Sequence, residues 1–111
     1  LDKQIHNKKL DQLVSNGIPL DDHAKKIADF FKATGEPTRV RIILALAQTS
    51  LSVNEIAEIL DMSQSGISHQ LKTLRDARIV SGDRLGKEVH YHLIDNHIVN
   101  IFEQVIKHSD E

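Results

Sequence analysis

The sequence has no cysteine, no tryptophan and only two prolines, and aromatic side chains make up 4% of its 111 residues. The first absence excludes disulfides, thiolate metal ligands, thiol nucleophiles and thiol redox sensing together, so any metal must be held by nitrogen and oxygen. The scarcity of aromatics leaves Leu, Ile, Val and Ala to build the core, and an apolar share of 40% is enough for one. Long hydrophobic stretches are missing too: the longest apolar run, Ile42 to Ala47, falls far short of the roughly 20 residues that cross a bilayer. The N-terminal stretch is studded with Lys, Asp and His and carries no apolar signal-peptide region, so a cytoplasmic protein without a membrane partner is expected. No internal repeat, low-complexity stretch or long run of one charge is present, which argues against a disordered tail. The length fits a single domain, 1–111. A domain of this size buries only part of its surface alone, so dimerisation would help it.

What is present is unevenly placed. The net charge of −2 hides a gradient. From Met62 to Lys87 five bases (Lys72, Arg75, Arg78, Arg84, Lys87) face two acids (Asp76, Asp83), whereas Leu93 to Glu111 holds one base, Lys107, and four acids. A local basic footprint of this kind suits one face that meets phosphate. The chain also carries seven histidines, a notable number at this length.

Periodicity predicts helices first. Gln4 to Val14 is weakly patterned and is broken by Gly17 and Pro19. Leu20 to Thr34 carries Ala24, Ile27, Ala28 and Phe31 at helical spacing and stops at Gly35. Pro37 suits the first turn of a third helix bearing Val40, Ile43, Leu44 and Ala47. Ser52-Val-Asn-Glu55 is a capping box that opens a short helix through Ile56, Ile59 and Leu60. After a turn at Asp61-Met62, Ser63 caps a further helix with the apolar stripe Ile67, Leu71 and Leu74. Ile79–Ser81 and Val89–Leu93 have strand character, with Asp83 to Lys87 as the hairpin tip between them. Asp95 then caps a last helix whose buried side is expected to be Ile98, Ile101, Phe102, Val105 and Ile106.

Two short helices joined by a tight turn and followed by a basic hairpin describe a winged helix-turn-helix: mostly α, with a small β-hairpin wing. The second helix of the pair can enter the major groove of double-stranded DNA with its N-terminal residues against base edges. Ser63 opens that helix and is itself a candidate DNA contact. Gln64 can pair with adenine, and Ser65, Ser68 and His69 can reach bases or phosphates. Lys72, a turn deeper, suits a phosphate, and Arg84 and Lys87 on the hairpin suit phosphate or the adjacent minor groove. Taken one by one, these residues also fit an ordinary solvated helix face. The run Ser63-Gln-Ser-Gly-Ile-Ser-His-Gln-Leu71, with Lys72 and Leu74, resembles the recognition helix of the ArsR/SmtB family of metal-responsive repressors. Glu36 to Ile42 and Gly86 to Leu93 resemble further segments of that family, the latter its wing. The resemblance runs from about Ile27 to the C-terminus. It implies a homodimer on an operator that is an imperfect inverted repeat, with Gln64, Ser65, Ser68 and His69 facing the DNA.

The last helix holds Asp95 and His97 at its start and His108 and Glu111 at its end. His97 and His108 share a face, being 11 residues apart, yet stand about 16 Å apart along the axis, too far for one ion. Two antiparallel copies of the helix could bring Asp95 and His97 of one protomer to His108 and Glu111 of the other, twice by symmetry. Two imidazoles and two carboxylates make a plausible tetrahedral set for Zn²⁺, with Co²⁺ as a surrogate. Without a metal, Asp95 is a good N-cap, His97 a solvated first-turn residue, and His108 favourable at a helix C-terminus. The Asp-x-His…His-x-x-Glu arrangement resembles that of the family's zinc-sensor branch, which implies coordination across the dimer. Branches that sense cadmium, lead or arsenic use cysteines near the first helix of the DNA-binding pair, where this sequence has Ser52. Nickel-sensing relatives add histidines for octahedral coordination, and His6 is a remote candidate. His90 and His92 alternate with Tyr91 along a strand and form one face of the wing.

These features lead to the expectation of a repressor that binds its operator when metal-free and is released by Zn(II). A winged-helix regulator without metal sensing and a sensor of nickel or cobalt are the alternatives. An enzyme is not expected. HExxH, a glycine-rich phosphate loop and a nucleophile–base pair are all missing, and the four protein ligands fill the metal's positions.

Overall fold

Caps and helix breakers set the element boundaries. The computed structural model describes residues 2–18 and 21–110, with side chains from residue 7 onward. The elements are α1 (Asp2–Ser15), α2 (Asp21–Thr34), α3 (Pro37–Leu46), β1 (Leu51–Ser52), α4 (Val53–Leu60), α5 (Gln64–Asp76), β2 (Val80–Leu85), β3 (Glu88–Leu93) and α6 (Asn96–Ser109). The chain divides into two units, Leu1–Phe31 and Lys32–Glu111. Among the described residues, no helix is long and apolar enough to cross a membrane.

In the first unit α1 leaves Leu10, Leu13 and Val14 exposed. Gly17, at φ +129°, takes a backbone conformation that L side chains avoid, so α1 ends before it. The roles expected of Pro19 and Leu20 lie outside the described residues. On α2, Ile27 and Phe31 are exposed, and Phe31 meets Phe30 edge-on with centroids 5.3 Å apart.

The second unit holds the core. Pro37 occupies the first turn of α3, where its missing N–H costs nothing, and Glu36 caps the helix by accepting from the Arg39 N–H. The capping box opens α4 as expected: Ser52 Oγ accepts from the Glu55 N–H at 3.2 Å, and the Ser52 N–H donates to Glu55 Oε1 at 2.9 Å. Asp61 ends α4 in the left-handed region at φ 54°, a conformation that Asp tolerates better than most side chains. Ser63 then caps α5 through the Gly66 N–H at 3.0 Å. Ile42 and Ile43 of α3, Ile56 of α4, Ile67, Leu71 and Leu74 of α5, and Ile79 and Val80 leading into β2 are all at most 1% exposed. Fully burying such a side chain contributes roughly 1.5–3 kcal/mol. The expected α5 stripe is therefore the floor of the core, while Ile59 of α4 points outward.

The sheet differs from the expected hairpin in two ways. Its order is β1-β3-β2, because Leu51 and Ser52 pair with Tyr91 and His90. The wing strands also run further than expected, from Val80↔Leu93 to Leu85↔Glu88, leaving only Gly86 and Lys87 as the turn. Gly86 has φ +66° and Lys87 does not share the positive φ, which fits a two-residue type II′ hairpin whose twist matches the strands. Gly82 is needed within β2: a Cβ there would stand 2.8 Å from Val89 Cγ1 and 3.1 Å from Tyr91 Cε1.

The last helix corrects another expectation. Of the five apolar residues expected on its buried side only Ile98 and Phe102 are buried, and Ile101, Val105 and Ile106 are exposed. Within this unit α6 packs one side against β3, so a broad apolar stripe has only part of its width covered.

Candidate DNA interface and candidate metal centre

Burial of Ile67, Leu71 and Leu74 fixes which side of α5 looks outward. Gln64, Ser65, Ser68 and His69 are all exposed on it. Ser63 caps the helix through its Oγ and lies 3.3 Å from Ser65 through their hydroxyls. Lys72 is exposed and paired at 3.0 Å with Asp76, one turn on. Such a surface pair holds little energy, so the ammonium can exchange its partner for a phosphate. Arg84 lies in β2 opposite Val89, within the strand and not at the hairpin tip expected for it, and Lys87 occupies the hairpin turn itself. Both are exposed.

The wing carries a polar face that the sequence indicated only in part. His90 stands opposite Asp83 and His92 opposite Ser81, so the two histidines do share a side. His92 Nε2 is 3.1 Å from Asp83 Oδ2, its Nδ1 is 3.0 Å from the Leu93 carbonyl, and His90 Nε2 is 3.4 Å from Glu88 Oε2. Nearby, the Ser52 backbone N–H holds the Glu55 carboxyl below its usual range against partial desolvation, helped by the Ser52 hydroxyl and His90. The Glu36 carboxyl is lowered as well, first by the Thr38 backbone N–H and then by Arg39.

On α6, Asp95 is an N-cap: its Oδ1 accepts from the His97 N–H at 2.9 Å and the Ile98 N–H at 3.4 Å. The His97 Nδ1 lies 3.4 Å from the same oxygen. All three contacts use Oδ1, so capping leaves Oδ2 as a possible ligand atom. The His97 side chain is 88% exposed. His108 lies in the last turn and is exposed, and Glu111 falls outside the described residues. At 100° per residue, His97, Ile101, Val105 and His108 fall on one side of α6, and all of them are exposed. Among the described residues of one chain, no three His, Asp or Glu side chains gather as a metal-holding group. His6 has no described side chain, and His23 is exposed in the first turn of α2.

Two residues carry roles outside the expected motifs: Arg39, whose side chain bonds to Ala33 and Gln70, and Glu36, which caps α3. Glu36 was findable as an acceptor directly before a helix-opening proline. Arg39 carried no signal, because its partner Gln70 is 31 residues away.

A model of the arsR family of bacterial regulatory proteins matches residues 36–81, which include α3, the helix pair and the start of the wing. A transcriptional repressor SmtB homolog from Synechocystis sp. is 37% identical over 107 residues, covering 96% of this chain and 80% of that protein. The HTH-type transcriptional regulator NmtR of Mycobacterium tuberculosis is 38% identical over 93 residues, covering 83% and 78%. Among solved structures, the homodimeric winged helix-turn-helix DNA-binding domain Mb0332 of Mycobacterium bovis superposes with a TM-score of 0.76 at 26% identity, covering 84% of this chain and 89% of that one.

Proposed function

The chain belongs to the arsR family of bacterial regulatory proteins, DNA-binding winged-helix transcriptional regulators rather than enzymes, and on that footing we propose that it is a homodimeric repressor released from operator DNA by Zn²⁺. The observation that carries the metal reading is the α6 face. His97 and His108 bracket Ile101 and Val105 on one exposed side, so a partner helix laid antiparallel would cover the apolar residues and bring the histidines of opposite ends together. Asp95 and His97 of one protomer, with His108 and Glu111 of the partner subunit, would then hold the ion. That set fits zinc: it has two nitrogens and two carboxylates, lacks thiolates, and retains Asp95 Oδ2 beside the capping oxygen. Bound at this seam, the ion would tie the two α6 helices together.

Tying the helices bears on DNA because both α5 helices must reach successive major grooves about 34 Å apart. A dimer fixed in another spacing, or stripped of the flexibility to adjust, loses operator affinity. A His108 imidazole that ligates through one nitrogen can also donate its other N–H to backbone near the end of α5, linking ion and reader. Coupling is reciprocal, so operator DNA must weaken zinc binding by the same factor. Gln64, Ser65, Ser68 and His69 would read bases, while Lys72, Arg84 and Lys87 position the module on phosphates.

The test is a Co²⁺ optical titration of the chain and of His97→Ala, followed by Zn²⁺ displacement. Intense tetrahedral visible bands that saturate at one ion per protomer and vanish in His97→Ala are expected. Weak octahedral bands would assign a nickel- or cobalt-type sensor instead, and no saturable binding would leave a regulator without a metal site.

A further inference from the structure

Arg39 sits half-buried in the first turn of α3. Its backbone N–H donates to the Glu36 carboxylate at 3.1 Å. Its side chain donates in two directions: Nε–H to the carbonyl oxygen of Ala33, in the last turn of α2, and Nη1–H to Oε1 of Gln70 on α5, 3.1 Å away. One guanidinium thus joins the end of α2, the start of α3 and the middle of α5. Ala33, Arg39 and Gln70 all belong to the Lys32–Glu111 unit.

Gln70 follows His69 directly and stands between the exposed reading face and the buried stripe. Apolar burial of Ile67, Leu71 and Leu74 holds α5 on the core and fixes which side looks outward, but the hydrophobic effect is non-directional and sets the last few degrees of roll less sharply than a directed bond does. A charge-assisted bond from a planar guanidinium has a fixed direction and constrains that rotation strongly. A roll of about 10° moves an atom at the helix's surface radius of roughly 5–6 Å by about 1 Å. That exceeds the distance range over which hydrogen bonds stay good.

We infer that Arg39 is a positioning residue for DNA reading: through Gln70 it sets the roll of α5, so that Gln64, Ser65, Ser68 and His69 meet base edges in register. It acts from within the protein frame, with Nε and Nη1 donating to protein acceptors. The inference rests on α5 being the DNA reader and does not depend on zinc.

The test measures binding of the full chain, over a salt series, to two duplexes. One is selected by the unaltered protein from a randomised pool, and the other is a scrambled duplex of the same composition. Arg39→Met and Gln70→Leu should each cut the preference for the selected duplex by about 10-fold or more. Affinity for the scrambled duplex and the salt slope should stay unchanged, and the double variant should be no worse than either single one. Gln70→Glu, which keeps an acceptor, should retain the preference. If Arg39→Met does not fold, Gln70→Leu carries the same test alone. Equal losses on both duplexes with a salt slope lower by about one would make Arg39 a phosphate contact and overturn the inference. Fully additive single losses would overturn it too. If the unaltered chain shows no preference between the duplexes, the reading role of α5 fails and the inference falls with it, an outcome distinct from a loss confined to the variants.

Discussion

At the residue scale, capping chemistry does most to define the chain. Ser52 is 3% exposed and both accepts from and donates to Glu55, so Ser52→Ala strips a buried cap of both its oxygen and its fixed geometry. The expected cost is about 1 kcal/mol, read as a lower urea midpoint with an unchanged m-value. The same contact makes stability depend on acid. Glu55 is held below its ordinary value of 4.5 when folded, so its contribution is complete above the unfolded value and is lost as pH falls through the lowered folded one. Glu36 adds a contribution of the same sign. Glu55→Gln should therefore flatten the loss of stability between neutral pH and pH 4 or below in urea melts, and an unchanged acid dependence would remove Glu55 from the account. Caps were legible because Ser52 and Glu55, like Ser63 and Gly66, lie three residues apart, and a local spacing is visible in a sequence. The Arg39–Gln70 bond was not, since only the packed fold brings α3 to α5.

At the element scale the wing and α6 carry the predictions. Gly82→Ala would drive a Cβ to within 2.8 Å of Val89 Cγ1, on a β-branched side chain with little freedom to turn aside. A loss of about 1–3 kcal/mol is expected, with Arg84 and Lys87 displaced and DNA affinity reduced, measured by thermal melting and by anisotropy of a labelled duplex. The alternation of Val89 to Leu93 revealed β3. The two residues of β1 were too few to show a period, and the polar composition of Asp83 to Leu85 hid strand that Gly86 allows to continue. On α6 the apolar spacing revealed the helix but not its division into a covered and an open side, because that depends on which neighbours the fold supplies. Val105→Asp places a charge on the open side, where Val105 is 51% exposed. It should turn a dimer into monomers in sedimentation while leaving the monomer's melting temperature nearly unchanged. A large loss of monomer stability would mean that the open face is covered within the chain.

At the scale of the whole molecule, symmetry would join a reading helix to a metal site shared between two chains. The reading helix was legible as a run of local motifs between Ser63 and Leu74. The candidate metal centre was legible only as two halves, one at each end of α6, because no single chain brings Asp95 and His97 to His108. If the halves meet across a dimer, two defective chains can repair each other. His97→Ala and His108→Ala each break both sites of their own homodimer. In a mixed dimer, His97 of the second chain and His108 of the first remain in one site, while the other site loses both. The direct measurement is a Co²⁺ titration of each variant alone and of the two after subunit exchange. No tetrahedral bands are expected from either variant alone, and they should return on mixing, at one ion per mixed dimer and displaced by Zn²⁺. Bands that stay absent after exchange has been shown to occur would contradict a site shared between subunits.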